Sequence, residues 1–331
     1  MLRIALLRRP VVVALGALAF AVVPMVANPY QVYAANLALI YILLAIGLNI
    51  VLGFAGQLAF ANGAMFGVGA YATGLLRLDA GMPFWLAMPA GAVIAALTGF
   101  LIALPALRLR GLYLALATIA FAQFAVWVFV HWDGLTHGTS GIVLKPVDFA
   151  PLTKSASTGL YYVSLAVTIG FVALAWNMLR SRIGRAFVAI RESEHAAAAL
   201  TIDLTRYKTY AYVVSALYAG VAGSLFACVV GAVVPEQFNL FQIVIQFCMV
   251  FVGGVGTLWG AVIGAVSLVW LQEALRGLQE VQEFGFGILL LAVIMFFPGG
   301  IADFLRRRIE GWQEPLRRVA PDEPAAPQRR S

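Results

Sequence analysis

The chain has 331 residues, of which 62% are hydrophobic and 11% charged, and its mean hydropathy is +0.92. Soluble domains carry about 25% charged residues, so this composition excludes an ordinary soluble protein. The formal net charge of +7 is therefore attributed to basic loops beside a membrane, and nucleic acid is not an expected partner.

Apolar runs of about 20 residues recur along the chain, and about 20 helical residues cross the hydrocarbon core of a bilayer. The pattern predicts an all-α integral membrane protein that interacts with the lipid bilayer through about ten transmembrane helices, some of them short or broken. The two glycine-rich or short segments, 57–76 and 240–256, are the least regular. The predicted segments are 10–28, 31–52, 57–76, 83–107, 111–131, 158–180, 208–233, 240–256, 258–276 and 284–302.

The first segment allows two interpretations. Its basic start and apolar core are typical of a secretory signal peptide. The apolar stretch continues nearly to Asn28, which is long for a signal core. A retained first helix is therefore favoured.

Basic residues orient the predicted helices. With ten crossings and a cytoplasmic N-terminus, 18 of the 22 Lys and Arg residues lie on the cytoplasmic side. Because cytoplasmic loops are enriched in Lys and Arg, both termini are expected in the cytoplasm, as is the loop 181–207. Residues 1–310 are then the transmembrane domain. The tail 311–331, with four prolines and mixed charge, is predicted to be disordered.

A polar, alanine-rich stretch, "RESEHAAAALTIDL" (191–204), interrupts the apolar pattern inside that loop. Alanine and leucine favour a helix at about 192–201, with Ser193 as its N-cap and Glu192 and Glu194 near its positive end. A helix of about nine residues is marginal alone in water, so it needs a surface to pack on. A groove on a partner protein is favoured over the lipid surface, for which alanine is a weak anchor.

Motifs for catalysis are absent from the sequence. No G-x-x-x-x-G-K-[ST] phosphate-binding loop occurs, so the chain is not expected to hydrolyse ATP itself. No catalytic residues, cofactor or metal site are predicted. Cys228 and Cys248 lie in apolar runs and are interpreted as buried thiols, and a metal site from His131 and His137 is not favoured.

The predicted helix interiors contain neutral polar residues and few ionisable ones, which disfavours a proton-coupled carrier. Glu273 and Arg276, three residues apart, are expected to pair with each other. The neutral groups either join helices by hydrogen bonds or line a path for a neutral or zwitterionic solute. Gln57, Asn62 and Gln123 are the preferred path candidates.

Two hexapeptides resemble each other at an offset of 200 residues: "GFAGQL" at 53–58 and "GGVGTL" at 253–258. Transporters often contain internal repeats. Small residues that allow helices to approach closely produce the same similarity. Both explanations stay open.

Four stretches in order resemble one family, the LivM-like inner-membrane permease subunits of bacterial ABC importers for branched-chain amino acids. They cover about a third of the chain, and their combination is more specific than any one of them. The stretches are "GLNIVLGFAGQLAFANGAMFGVGAYATGLL" (47–76), "LRLRGLYLALATIAFAQ" (107–123), "SRIGRAFVAIRESEHAAAALTIDLTRYKTYAYVVSALYAGVAGSLFA" (181–227) and "FVGGVGTLWGAVIGA" (251–265).

The resemblance implies a permease subunit in the bacterial inner membrane. Its implied partners are two cytoplasmic ATP-binding subunits, a sister permease that usually makes a heterodimer, and a periplasmic solute-binding protein. Branched-chain or other neutral amino acids are the first expected solutes. Urea, amides or small carboxylic or aromatic compounds are the alternatives within this class, and a stand-alone secondary transporter is the alternative outside it.

The resemblance also assigns the docking motif. The family's E-A-A-like sequence corresponds to residues 194–201, with Thr201 where the family usually has glycine. This leaves the C-terminal geometry of the helix open, because glycine is favoured where a chain leaves a helix in a left-handed conformation. The expected ATPase-coupling residues are Arg191, Glu192, Glu194, Ala197, Ala198 and Thr201.

Overall fold

The computed structural model describes residues 28–109, 111–148, 156–274 and 300–303, together with Phe20, Pro24, Gly285, Ile288 and Met295. The described chain is an α-helical bundle. Its helices are α1 (Pro29–Asn49), α2 (Asn62–Leu78), α3 (Phe84–Ala106), α4 (Leu112–His131), α5 (Asp133–Thr136), α6 (Ala156–Arg180), α7 (Arg182–Glu192), α8 (Glu194–Ala199), α9 (Leu204–Val230), α10 (Leu240–Gly253) and α11 (Leu258–Ala274). A π-helical turn, Ile50–Phe54, continues α1, and 3-10 turns lie at Gly138–Ser140 and Pro235–Phe238.

The predicted all-α membrane class is confirmed in its coarse form. Within the described ranges, five helices are long and apolar enough to cross a membrane: Pro29–Phe54, Phe84–Pro105, Leu112–His131, Ala156–Arg180 and Leu204–Val230. Helices α2, α10 and α11 are shorter, with 17, 14 and 17 residues. The predicted segments 10–28 and 284–302, the Glu273–Arg276 pair and the tail 311–331 fall wholly or partly outside the described residues.

Helix α1 lies at the centre of the bundle. It begins at Pro29, a residue suited to the first helical position because its missing N–H is not needed there. The helix is apolar on all sides and is buried along nearly its whole length. A helix without a polar face is stable only when other elements surround it. Helices α6, α9 and α11 pack directly against it.

Small residues allow α2, α3 and α9 to pack closely. The Cα of Gly69 touches the backbone of Gly220, and Gly223 lies against the backbone carbonyl of Phe66, so neither position has room for a Cβ atom. At the same contact Thr73 Oγ1 donates a hydrogen bond to Ser224 Oγ at 2.7 Å. Helices that approach this closely gain dispersion energy along their whole contact, which stabilises a bundle inside lipid.

The two hexapeptides that resemble each other meet in the structure. The break after α1 and the turn between α10 and α11 each contain a glycine at positive φ, Gly56 at 68° and Gly256 at 73°. Asn49 joins the two: its Oδ1 accepts from the Gly256 N–H and its Nδ2 donates to the Thr257 carbonyl, both at 2.8 Å. This close approach gives the glycines a packing role in both segments.

Two short β-strands join the loops at one end of the bundle. The first, β1 (Ile142–Val143), pairs antiparallel with β2 (Ala232–Val233), with Ile142 opposite Val233. The β1 strand lies in the connection between α5 and α6. Arg77 Nη2 donates to the Lys145 carbonyl at 2.9 Å and fixes this loop to the end of α2.

Helices α7 and α8 form the connector (residues 181–203), which joins α6 to α9. Ser193 is the N-cap of α8, as predicted, because its side chain accepts the N–H of Ala196 at 3.2 Å. The predicted bounds of about 192–201 are wider than α8 itself, Glu194–Ala199. Ser193 is extended (φ −162°, ψ 115°), so Glu192 ends α7 and only Glu194 lies in the first turn of α8.

Thr201 ends α8 in a left-handed conformation. The Thr201 N–H bonds to the Ala198 carbonyl at 3.0 Å, and the Ile202 N–H bonds to the Ala197 carbonyl at 3.1 Å. These two bonds make a Schellman motif, in which the residue after the C-cap takes positive φ and is usually glycine. Thr201 adopts φ 64°, so the motif forms at a cost of about 1–2 kcal/mol from the Cβ atom.

Replacing Thr201 with glycine is expected to stabilise the end of α8 by about 1 kcal/mol, because the left-handed strain disappears. Hydrogen exchange of the Ile202 amide, measured by mass spectrometry or NMR, should slow about fivefold. Thr201→Ala is the matched control, since it removes the β-branch and keeps the Cβ atom. Equal or faster exchange in Thr201→Gly would show that Thr201 is not strained.

Candidate functional site

An ion pair attaches the connector to the membrane-spanning helix α9. Lys208 Nζ lies 2.6 Å from Glu194 Oε1, and the Lys208 and Glu194 side chains are 4% and 23% exposed. Glu194 is in the first turn of α8, and Lys208 is one turn inside α9, which begins at Leu204. The pair closes the bend between the two helices. Because a buried ammonium group without a counter-charge is strongly unfavourable, Glu194 is held to α9.

Sequence reasoning did not identify this pair. It treated Lys208 as a loop charge flanking a segment that began at residue 208. The helix instead begins four residues earlier, where Asp203 Oδ1 accepts the Arg206 N–H at 3.1 Å as an N-cap. An N-cap aspartate was a visible signal for the earlier start. The partner of Glu194, 14 residues away across a bend, has no helical spacing that predicts it.

A second contact ties the connector to the break after α1. Arg191 Nη1 donates to the Gly53 carbonyl at 2.8 Å, and Arg191 Nη2 pairs with Glu192 Oε1 at 2.7 Å. The aliphatic stem of Arg191 lies directly against Gly56, where a Cβ atom would meet Arg191 Cγ at 2.6 Å. These two polar contacts join the connector to α9 and to the end of α1, beside the buried apolar side chains of Phe187 and Ile190 in α7.

The opposite side of the connector is open. Leu200 is 73% exposed, and it lies beside the small exposed side chains of Ala198, Ala199 and Thr201. Ala197 is 1% exposed and faces the bundle. This side of the connector therefore exposes small side chains and one leucine.

The six predicted coupling residues divide between these two sides. Glu192, Ala198 and Thr201 are exposed, whereas Arg191 and Glu194 have contacts with the bundle and Ala197 is buried. Leu200 was not among the predicted residues. The signal for it was its place as the last apolar residue of the alanine run, before the chain turns.

Asn62, a predicted path residue, belongs to a buried cluster between helices. Its Nδ2 donates to Gln246 Oε1 at 3.1 Å, and its Oδ1 accepts from Ser215 Oγ at 3.1 Å. The bonds join α2, α10 and α9. In this conformation Asn62 is 5% exposed, and its hydrogen bonds connect helices.

A small cavity adjoins this cluster. Asn62, Ser215 and Tyr212 are its polar lining, and the rest is apolar. Within the described residues, Tyr212 Oη and Gln246 Nε2 are buried without a hydrogen-bond partner. Unsatisfied buried polar groups are rare and are commonly met by water or a polar ligand. The cluster could therefore accept a water molecule or a neutral polar group.

The other two predicted path residues lie elsewhere. Gln57 is 7% exposed in the break after α1, where its Nε2 donates to the Ala55 carbonyl at 3.4 Å. Gln123 lies on the exposed face of α4 beside Phe124. The structure thus places Asn62 and Gln57 inside the bundle and Gln123 on its surface. A role in translocation stays a prediction for all three.

The histidines and cysteines have other surroundings. His131 stacks on Trp127, and His137 Nε2 lies 3.8 Å from Asp79 Oδ1. Cys228 and Cys248 are free and buried, as predicted. Over the part of the chain that the structure describes, no three His, Cys, Asp or Glu side chains converge as a metal site would require.

Comparisons with known proteins place these features in a family. Residues 30–298 match the family described as branched-chain amino acid transport system / permease component. The chain is 32% identical to the high-affinity branched-chain amino acid transport system permease protein LivM of Escherichia coli (strain K12), over 83% of this chain and 71% of the relative.

Two further relatives extend the comparison. LivM of Salmonella typhimurium is 31% identical, over 87% of this chain and 73% of the relative. The autoinducer 2 import system permease protein LsrC of an Enterobacter species is 28% identical, over 77% and 75%. The comparison with solved structures found no match. The family match covers the bundle and the connector, and the chain belongs to the family of branched-chain amino acid transport permease components.

Proposed function

We propose that this chain is one of two membrane permease subunits of an ATP-driven importer in a bacterial inner membrane. Its partners are two cytoplasmic ATP-binding subunits, a sister permease, with which it forms a heterodimer, and a periplasmic solute-binding protein. Family membership and five helices of membrane-spanning length support the proposal. Energy must come from the partners, because the sequence contains no phosphate-binding loop.

The two-sided connector is the observation that carries the proposal. The distribution of Lys and Arg supports a cytoplasmic position for residues 181–207. There the exposed surface around Leu200 and Ala198 is available to an ATP-binding subunit. The other side of the connector is attached to α9 by the Glu194–Lys208 pair.

A displacement of the connector would reach the membrane helices through that pair. Helix α9 packs along α1, α2 and α3 through contacts with no room for side chains, such as Gly69 against Gly220. Closely packed elements shift as bodies and do not deform continuously. ATP binding in the partner therefore moves α9 relative to its neighbours and alternates access to the path.

Branched-chain or other neutral amino acids are the proposed solutes. LivM is named for branched-chain amino acids, and LsrC for autoinducer 2. The described helix interiors offer amides and hydroxyls, such as the Asn62–Ser215–Gln246 cluster. Neutral groups give weak contacts, which suit a solute that must also leave.

The docking surface is tested by Leu200→Asp. Burial of a leucine contributes about 1.5–3 kcal/mol, so the variant should bind the ATP-binding subunits about 10- to 100-fold more weakly. Co-purification of the whole assembly and ATP-dependent uptake of leucine in proteoliposomes measure the loss. Leu200→Met should keep both.

Leu240→Asp is the matched control, since Leu240 is an exposed leucine at the first residue of α10. It should leave co-purification with the ATP-binding subunits unchanged. Unchanged co-purification of Leu200→Asp would show that the docking surface lies elsewhere. Uptake by the wild-type chain alone, without ATP-binding subunits, would contradict the importer proposal.

The ion pair is tested by Glu194→Ala, which leaves Lys208 buried without a counter-charge and should lower the unfolding free energy by about 3 kcal/mol. Thermal unfolding in detergent measures the loss. Exchanging the charges, Glu194→Lys with Lys208→Glu, should recover part of it. Glu192→Ala removes an exposed pair and should cost less than about 1 kcal/mol. Equal losses in Glu192→Ala and Glu194→Ala would contradict the assignment.

A further inference from the structure

Arg191 links the connector to the C-terminal end of α1. The α1 helix finishes in the π turn Ile50–Phe54, where the Ile50 and Val51 carbonyls accept from the Ala55 and Gln57 amides. The Gly53 carbonyl accepts from Arg191 Nη1 at 2.8 Å, across 138 residues of sequence. A cation at a helix C-terminus is favoured both by the charge-assisted hydrogen bond and by the helix dipole.

The position of Arg191 is fixed by the backbone around it. Gly56, at φ 68°, passes over the Arg191 stem at a distance that leaves no room for a Cβ atom. The side chain is 22% exposed. The backbone of Gly56 therefore restrains the aliphatic stem of Arg191, whose guanidinium group bonds to the Gly53 carbonyl.

The same turn of α1 also holds the turn between α10 and α11. Gly53 touches Asn49 Oδ1 and the backbone of Gly256, with no space for a side chain. Asn49 is 1% exposed, and it bonds to the Gly256 N–H and the Thr257 carbonyl, each at 2.8 Å. Arg191, Gly53, Asn49 and Gly256 thus form a continuous chain of contacts.

We propose that Arg191 is a positioning residue that passes movement of the connector to both helix breaks, 55–61 and 254–257. This inference rests on the proposed function, because the movement originates in the ATP-binding subunits. It adds a second route to the one through Lys208. The Lys208 route moves α9, and the Arg191 route moves the ends of α1 and α10 toward or away from α2 and α11.

Three backbone amides report on the two routes in a hydrogen-exchange experiment. The Ala196 amide bonds to Ser193 Oγ inside the connector. The Gln57 amide bonds to the Val51 carbonyl at 2.9 Å, and the Gly256 amide bonds to Asn49 Oδ1. In the complete assembly, addition of ATP is expected to change exchange at all three.

Arg191→Gln removes the charge and the reach of the guanidinium group. Exchange at Gln57 should become about 10-fold faster without nucleotide, as expected for loss of a charge-assisted hydrogen bond. ATP should then change exchange at Ala196 but no longer at Gln57 and Gly256. In proteoliposomes the number of ATP molecules hydrolysed per solute imported should rise, while co-purification with the ATP-binding subunits stays as in the wild type.

Two variants control for a purely structural effect. Arg185→Gln is matched, because Arg185 is an exposed arginine of α7 that bonds to the Arg180 carbonyl at 3.4 Å; it should leave all three responses intact. Arg191→Lys keeps the charge and one donor, so it should restore part of the response at Gln57 and Gly256. Equal failure of Arg191→Lys and Arg191→Gln, with equally lowered thermal stability, would show a role in folding only and overturn the proposal.

The outcome also separates this inference from the proposed function. An Arg191→Gln assembly that responds to ATP at Gln57 and Gly256 as the wild type does overturns the role of Arg191 alone. A wild-type assembly in which ATP changes nothing at Ala196 contradicts the proposed function, and the inference fails with it. In the Arg191→Gln assembly, a change in exchange on ATP addition at Ala196 but not at Gln57 and Gly256 supports both the inference and the proposed function.

Discussion

The Glu194–Lys208 ion pair is the interaction on which the coupling of connector and bundle depends. Lys208 lies inside a membrane-spanning helix at 4% side-chain exposure, where an ammonium group needs a counter-charge. The nearest chain that can supply one is the connector. Burial of the lysine therefore determines the position of α8. The Ala197 side of that short helix faces the bundle. One side of the connector faces the bundle, and the other side, with Leu200, stays exposed.

Close helix packing then determines how far a displacement can travel. The contacts of Gly69 with Gly220 and of Gly53 with Gly256 leave no space for compression, so neighbouring helices shift as units. Two breaks interrupt these helices, and in them Gly56 and Gly256 take positive φ. The structure thus combines closely packed helices, two breaks between helices, and polar attachments of the connector at Lys208 and Arg191. Together these features can carry a displacement of the connector to the membrane helices.

Local sequence patterns predicted most of the helices. They did not predict which side chains from distant parts of the sequence pair with each other. Ser193 was predicted as an N-cap because capping depends on residues three apart. The sequence predicted a segment that begins at residue 208, whereas α9 begins at Leu204 after the N-cap Asp203, so the buried Lys208 lies one turn inside the helix. Asn62 illustrates the same limit: its amide predicts a buried hydrogen bond, but its partners Ser215 and Gln246 are brought near it only by the fold. At Thr201 the helix ends in the left-handed conformation of a Schellman motif, although threonine is an unusual residue at that position.

The central claim is that ATP binding in the partner moves the connector and, through the Glu194–Lys208 pair, moves α9 relative to the helices around it. Spin labels at Tyr210, an exposed residue of α9, and Asp79, at the far end of α2, test it in the complete assembly, by the distance distribution with and without ATP. The account predicts that the distribution shifts on ATP binding and that the shift is lost when Glu194 is replaced by alanine. An identical distribution in both states, in an assembly that hydrolyses ATP and imports solute, would contradict it.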